Sequence, residues 1–272
     1  MGPAFRYQAL RNEAWIGGGV RLLPTYGDFS NCQAIAGRPL RSTDGIIVPA
    51  QRPMPPSAAS AREYAAHAFA LDAAHEAASV SAFIQLACEL LAVGAPESLI
   101  ARAIVAAWDE IGHAQLCACL AERALVEKVD CALPAIQVRA APDAQTALTR
   151  LAIESWLDGC LGEASAAHHA AAAADTAQDL YTTQVLRRVA REEARHGELA
   201  WDVLAFCVQR GGQAVRQALQ VQCDYTHHGP DVTVPDALEH HGRLSARSLA
   251  AISERQRSRS LERLRERGHL RT

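Results

Sequence analysis

The chain has 272 residues, a formal net charge of −3 and 49% apolar residues. That length can bury a sizeable core as one domain with appendages, and the composition excludes a disordered chain. The charge gives no overall reason to expect a polyanion, no window has the apolar run of a membrane span, and the opening residues Met1-Gly2-Pro3-Ala4-Phe5-Arg6 lack the order of a signal peptide, so a cytoplasmic location is expected.

Proline breaks helix interiors, so its positions divide the chain. Seven of the twelve prolines fall in residues 1–56, together with the Gly17-Gly18-Gly19 run. This part reads as an irregular N-terminal arm or lid with at most short strands, such as Ile46-Ile47-Val48. A first helix is expected over 57–93, capped by Ser57 or Ser60 and ended by the short connection Gly94-Ala95-Pro96. A second helix follows over 96–128, with Pro96 at a start position that tolerates proline. Residues 129–142 read as a long irregular connection.

The third helix begins at Asp143 and runs to Ala174, and the polar stretch Asp175 to Asp179 reads as a turn. The fourth helix occupies 179–211 and closes at Gly211-Gly212, with a shorter fifth from Gln213 to Tyr225. Residues 243–272 hold nine arginines and three glutamates, a surplus of six positive charges that leaves −9 for the rest. This extension reads as a solvated helical tail or an oligomer contact, and a homodimer is among the assemblies it allows. It lacks the interleaved aromatics of a nucleic-acid surface. The expected organisation is therefore an arm (1–56), an all-α antiparallel bundle of two hairpins joined by one long crossover (57–212), and a C-terminal helical extension with a basic tail (213–272).

Two Glu-x-x-His units carry the chemistry: Glu110-Ile111-Gly112-His113 and Glu193-Ala194-Arg195-His196. Residues three apart share a helix face, so each carboxylate and imidazole can serve one centre. One unit alone is weak evidence, because Glu and His meet at this spacing by chance. Here each has a lone glutamate on the preceding helix, Glu76 and Glu163. A hairpin puts residues equidistant from its turn at one depth, and the midpoints fall at Gly94 and near Asp179. Four carboxylates and two imidazoles thus converge inside the bundle. Six buried ionisable groups are costly without mutual compensation, which two divalent cations supply. Mixed oxygen and nitrogen donors suit iron or manganese better than structural zinc. Solvated faces or ion pairs explain any one of these residues, but not the doubled pattern.

Over residues 57–212 the chain resembles the ferritin-like di-iron carboxylate superfamily. The likeness rests on Glu76-Ala77-Ala78-Ser79-Val80-Ser81-Ala82-Phe83, Asp109-Glu110-Ile111-Gly112-His113, Gly159-Cys160-Leu161-Gly162-Glu163 and Arg191-Glu192-Glu193-Ala194-Arg195-His196. The resemblance implies two iron ions, or a manganese or mixed pair, with Glu110 and Glu193 bridging. It makes Glu76 and Glu163 terminal ligands, and His113 and His196 each complete one metal. A ligand histidine usually donates its other N–H to a carboxylate, so Asp109 is expected to hold His196 and Glu192 to hold His113.

Other residues read less sharply. Asp72 shares the face of Glu76, whereas His75 points away from it. His168 and His169 fall off the ligand face and are expected at the surface. Trp108, Trp156 and Trp201 are expected in the core, as are Cys88, Cys117, Cys119, Cys160 and Cys207, which form no C-x-x-C pair. Cys117 and Cys160 lie one turn from proposed ligands. Small residues one turn from the ligands, such as Ala106, Gly159 and Gly197, allow either a substrate pocket or close helix approach.

The resemblance implies an oxidoreductase that activates dioxygen for oxidation or oxygenation of a small organic substrate, fed by an external electron donor; the long N-terminal arm supports this reading, because a lid would help enclose a substrate. Its alternatives are a ferroxidase or rubrerythrin-like peroxidase, and then a transfer-RNA hydroxylase, for which the basic tail is the sole support.

Overall fold

The computed structural model describes residues 8–9, 14–16, 20–22, 37–42, 45–48, 60–125, 128–129, 131–136, 139–224 and 236–269. The Gly17-Gly18-Gly19 run, Ser57, Tyr225 and residues 1–6 lie outside them. The first helix, α1 (Ala61–Ala92), starts at a reciprocal cap. The Ser60 hydroxyl accepts from Glu63 N at 3.3 Å, while the Glu63 carboxylate accepts from Ser60 N at 2.8 Å. It ends at Gly94, whose φ of 67° is left-handed and suits glycine.

Helix α2 (Glu97–Glu122) begins directly after Pro96. It stops six residues short of the expected Lys128. The Glu122 carboxylate turns back to accept from Val129 N at 2.9 Å, holding the chain in its exit turn. Asp143 caps α3 (Ala144–Glu154), accepting from Thr146 N at 2.7 Å. The helix then continues without a break through a π-helical segment, Ser155–Glu163, into α4 (Ala164–Thr176). Asp179 caps α5 (Leu180–Asp224) through Thr182 N at 2.8 Å. Gly212 interrupts α5 with φ 59° and ψ −135°, so the expected boundary between the fourth and fifth helices is a break inside one element. A 3-10 turn (Asp236–His241) leads to α6 (Ala246–Glu266), capped by Ser245.

The described fold is all-α, with five short strands in the N-terminal part. Strands β1 (Gln8–Ala9), β5 (Gly45–Val48) and β4 (Leu40–Ser42) form one antiparallel sheet in the order β1-β5-β4, and β2 (Ala14–Ile16) pairs with β3 (Val20–Leu22). Strand β4 lies against α1.

Helices α1 and α2 form one hairpin, α3, the π segment and α4 pack on α5, and the hairpins meet through α2 and α5. Their apolar faces form two clusters. One gathers Phe83, Leu90, Trp156, Trp201 and Leu204; the other gathers Phe69, Leu120, Ala170, Val185 and Leu186. Along α1, α2 and α5 a short polar stretch separates the two. The basic extension is no solvated tail: α6 packs on α4 and the π segment, and Leu264 is fully buried.

Candidate metal centre

That polar layer collects one or two residues from each of four helical segments. Glu76 comes from α1, Glu110 and His113 from α2, Glu163 from the final residue of the π segment, and Glu193 and His196 from α5. None is more than 3% exposed. Glu76, Glu110, His113 and Glu193 each bring one donor atom to a spot where these atoms lie within 4.8 Å of one another. Glu110, Glu163, Glu193 and His196 do the same. Each group could hold a metal ion, and Glu110 and Glu193 belong to both.

Both imidazoles present Nδ1 to the carboxylates. His113 Nδ1 is 3.4 Å from Glu110 and 3.3 Å from Glu193, and His196 Nδ1 is 3.1 Å from Glu110 and 3.5 Å from Glu193. Yet these atoms are not aligned for hydrogen bonds. All eight oxygens of the four glutamates and both Nδ1 atoms are buried without a hydrogen-bond partner among the described residues. Buried polar atoms are seldom left so, because each loses its hydration for nothing. Ten such atoms facing one another fit a cationic group between them, and the donor set suits iron or manganese.

The electrostatics agree. Burial, then the neighbouring Glu110, drives the Glu76 carboxyl well above its usual range, and burial with Glu193 does the same to Glu163. Burial and Glu193 also push Glu110 up, but His113 and His196 outweigh them and hold it below its ordinary value. Both imidazoles are desolvated, yet the surrounding carboxylates raise them well above an ordinary histidine. Without cations the layer can only balance itself with protons.

No family model, curated protein or solved structure matches this chain.

Asp109 and Glu192 stand behind the imidazoles. His113 Nε2 lies 2.9 Å from Glu192 Oε2, and His196 Nε2 lies 3.3 Å from Asp109 Oδ2. Beside His196 and Asp109 a groove of about 450 Å³ runs between α2 and α5 to solvent. The imidazole side is thus the thin wall of the site.

The carboxylate side is thick. Ser79, one turn beyond Glu76, donates its hydroxyl to the Arg38 carbonyl at 2.9 Å. A Cβ on Gly37 would lie 2.7 Å from Glu76 Oε2, so only glycine lets the arm come this close. Arg41 in β4 makes a two-point ion pair with Asp158 of the π segment, at 2.9 and 2.6 Å. Asp72 takes a buried ion pair from Arg243, which also lies over the Phe69 ring.

Several expectations are corrected. Trp108 is 74% exposed, because it sits on the outer face of α2, whereas Trp156 and Trp201 are buried edge to face at 6.1 Å. His75, expected to point away from the Glu76 face, is buried, which is compatible with that expectation, and loss of hydration lowers it to about 4. His168 is exposed, but His169 is partly covered by α6 and lies 3.1 Å from the Leu249 carbonyl. Cys117, Cys160 and Cys207 are buried, while Cys88 and Cys119 lie on outer faces. Gly159 serves close helix approach, since a Cβ there would overlap Ala200, whereas one on Gly197 would meet Ala164 at an ordinary contact distance of 3.5 Å.

Three features escaped the sequence reading: the π segment, the Arg41–Asp158 pair and the Arg243–Asp72 pair. Asp158 carried a signal. An acidic residue on the buried face of an apolar helix demands a cation. Nothing in the arm's sequence singles out Arg41 as that cation.

Proposed function

We propose that this chain is a ferritin-like four-helix enzyme that holds two iron ions and uses dioxygen to oxidise or oxygenate a small organic substrate. The observation that carries the reading is the sharing of Glu110 and Glu193 between two four-residue groups, as carboxylates bridging two metals would be shared. In this reading Glu76 and Glu163 each bind one metal, and His113 and His196 complete the pair through Nδ1. Manganese or a mixed pair would satisfy the same donors.

Two irons held by these six residues would, when reduced, supply two electrons for dioxygen chemistry. The chain's own residues decide what is oxidised, by binding, orienting and excluding water. Gly37 abuts Glu76, and the Ser79 hydroxyl holds the next residue by donating to the Arg38 carbonyl, which supports a closed site over one that passes many irons. The groove beside Asp109 and His196 gives an external electron donor its closest approach.

The test uses reduced, iron-loaded protein. Dioxygen should be consumed without a ferric mineral, and the correct substrate should couple that consumption to product. Uptake of many irons per chain would identify a ferroxidase. Fast peroxide turnover with a donor and no organic substrate would identify a peroxidase. Either result overturns the oxygenase reading and leaves the ligands in place.

A further inference from the structure

Among the described residues ten large apolar side chains are exposed, and seven of them lie on the α1–α2 hairpin or on the connection that crosses it toward α3. Ile84 and Leu91 stand on α1, and Ile104, Val105 and Trp108 on α2. Ile84 and Ile104 are equidistant from the turn at Gly94, so they stand at one depth. The connection covers the neighbouring part of this face. Ser81, one turn before Ile84, donates to the Pro134 carbonyl at 2.6 Å, and Cys131 approaches the Ala114 carbonyl. Leu133 and Ile136, on either side of Pro134, complete the exposed set.

Charge is turned away from this face. Between Glu97 and Glu122, Glu110 and His113 point into the polar layer, while Arg102 reaches Asp202 at 2.6 Å and Asp109 reaches His196 at 3.3 Å, both on α5. Glu89, the last charged residue of α1, is held by Arg139 at 2.8 Å. Helix α5, by contrast, presents Arg188, Arg191 and Arg195 to solvent. A helix whose outward side is also apolar belongs inside an assembly. At about 200 Å² for a whole large side chain, the seven expose on the order of 700 Å². That exceeds the roughly 300–600 Å² of a monomer's largest patch and approaches the roughly 800 Å² that each partner brings to a stable dimer.

We infer that this face is the two-fold interface of a homodimer, in which the α1–α2 hairpin of one copy packs on the same hairpin of a second copy. An uncharged patch set against itself opposes no like charges, and a two-fold axis lets one patch serve both partners. A strongly charged partner finds nothing on it to steer or orient the encounter. Trp108, 74% exposed, is the largest and most accessible of the seven and is the anchor of the contact. Val105 also lines the groove beside Asp109 and His196, so the second copy borders that opening. The interface needs neither the metals nor the basic extension.

Sedimentation velocity on the full chain, before and after metal removal, should give twice the 29.2 kDa of one chain at micromolar concentration. Trp108→Glu and Ile104→Glu each set a charge into the apolar contact and should weaken the dimer about thirtyfold or more. Both side chains are exposed in the single chain, so the helical circular dichroism spectrum should be kept. Leu180→Glu, at a similarly exposed apolar position on α5, should leave the dimer intact. Should one face variant fail to fold, the other and the state of the wild-type protein still decide. Wild-type protein that stays monomeric overturns the proposal, as does an assembly larger than two chains. So does a dimer that survives both face substitutions, or one that Leu180→Glu breaks equally.

Discussion

Glu192 and His113 meet across the interface of α5 and α2, with Oε2 2.9 Å from Nε2. Burial raises Glu192, but His113 and Arg188 bring it below its ordinary value, so the carboxylate is an acceptor and the proton belongs on Nε2. That fixes the tautomer and leaves Nδ1 free to face Glu76, Glu110 and Glu193. Glu192→Gln should therefore weaken metal binding about 10–100-fold, and Asp109→Asn should do the same through His196. Competition with a chelator measures it, and unchanged affinity in both variants would remove these carboxylates from the site.

Bridging makes a prediction that pairwise ion pairs do not. Wild-type protein loaded without oxygen should hold two irons per chain, about 3.5–4 Å apart. Glu110→Ala and Glu193→Ala should each disturb both metals, while His113→Ala should mainly weaken one. Elemental analysis and X-ray absorption decide the matter. Full occupancy in all three variants would sink the assignment.

The π segment meets α5 at Gly159 and Ala200, where no second Cβ fits. Gly159→Ala should cost about 1–3 kcal/mol through overpacking. Adding Ala200→Gly should recover part of that loss, even though glycine in a helix carries its own penalty of about 1 kcal/mol. Urea denaturation of the single and double variants tests the contact. A double variant no more stable than Gly159→Ala would disprove it.

Arg139 governs the acid limb of stability. Burial pushes Glu154 up, but Arg139, backed by Arg41 and Arg38, carries it down to about 2 from an ordinary 4.5. A depressed carboxyl stabilises the fold fully above its unfolded value and loses that contribution as pH falls toward 2. Glu89 works in the opposite sense, raised by burial and by Glu154. Arg139→Leu leaves Glu154 buried without its nearest cation, and should cost about 3–5 kcal/mol at pH 7. The loss should shrink at pH 4.5, where the stranded carboxyls take up protons. Equal losses at the two pH values would contradict this account.

The six residues of the polar layer were legible because hairpin arithmetic needs only helix spacing and a turn position. Helix starts at Ser60, Asp143 and Asp179 were legible for a similar reason: a cap is a local hydrogen bond. The π segment was not, since apolar spacing in Ser155–Glu163 suits α and π geometry alike, and the choice is made by packing on α5. Trp108 was misplaced because a bulky apolar residue near a proposed ligand looks like core until the helix phase is known. The pairings of Arg41 with Asp158 and Arg243 with Asp72 span 117 and 171 residues, and no local pattern encodes a partner that distant.

The link from Arg243 to Asp72 also bears on how the molecule comes into being. A chain leaves the ribosome from its N-terminus, so α1 is complete long before Arg243 has been made. Until that guanidinium arrives, Asp72 and the Phe69 ring lack the cation that covers them, one turn from Glu76. The surroundings of Asp72 are thus finished late in synthesis. A nascent chain halted before Arg243 carries every proposed ligand and still lacks the guanidinium that pairs with Asp72 and covers Phe69.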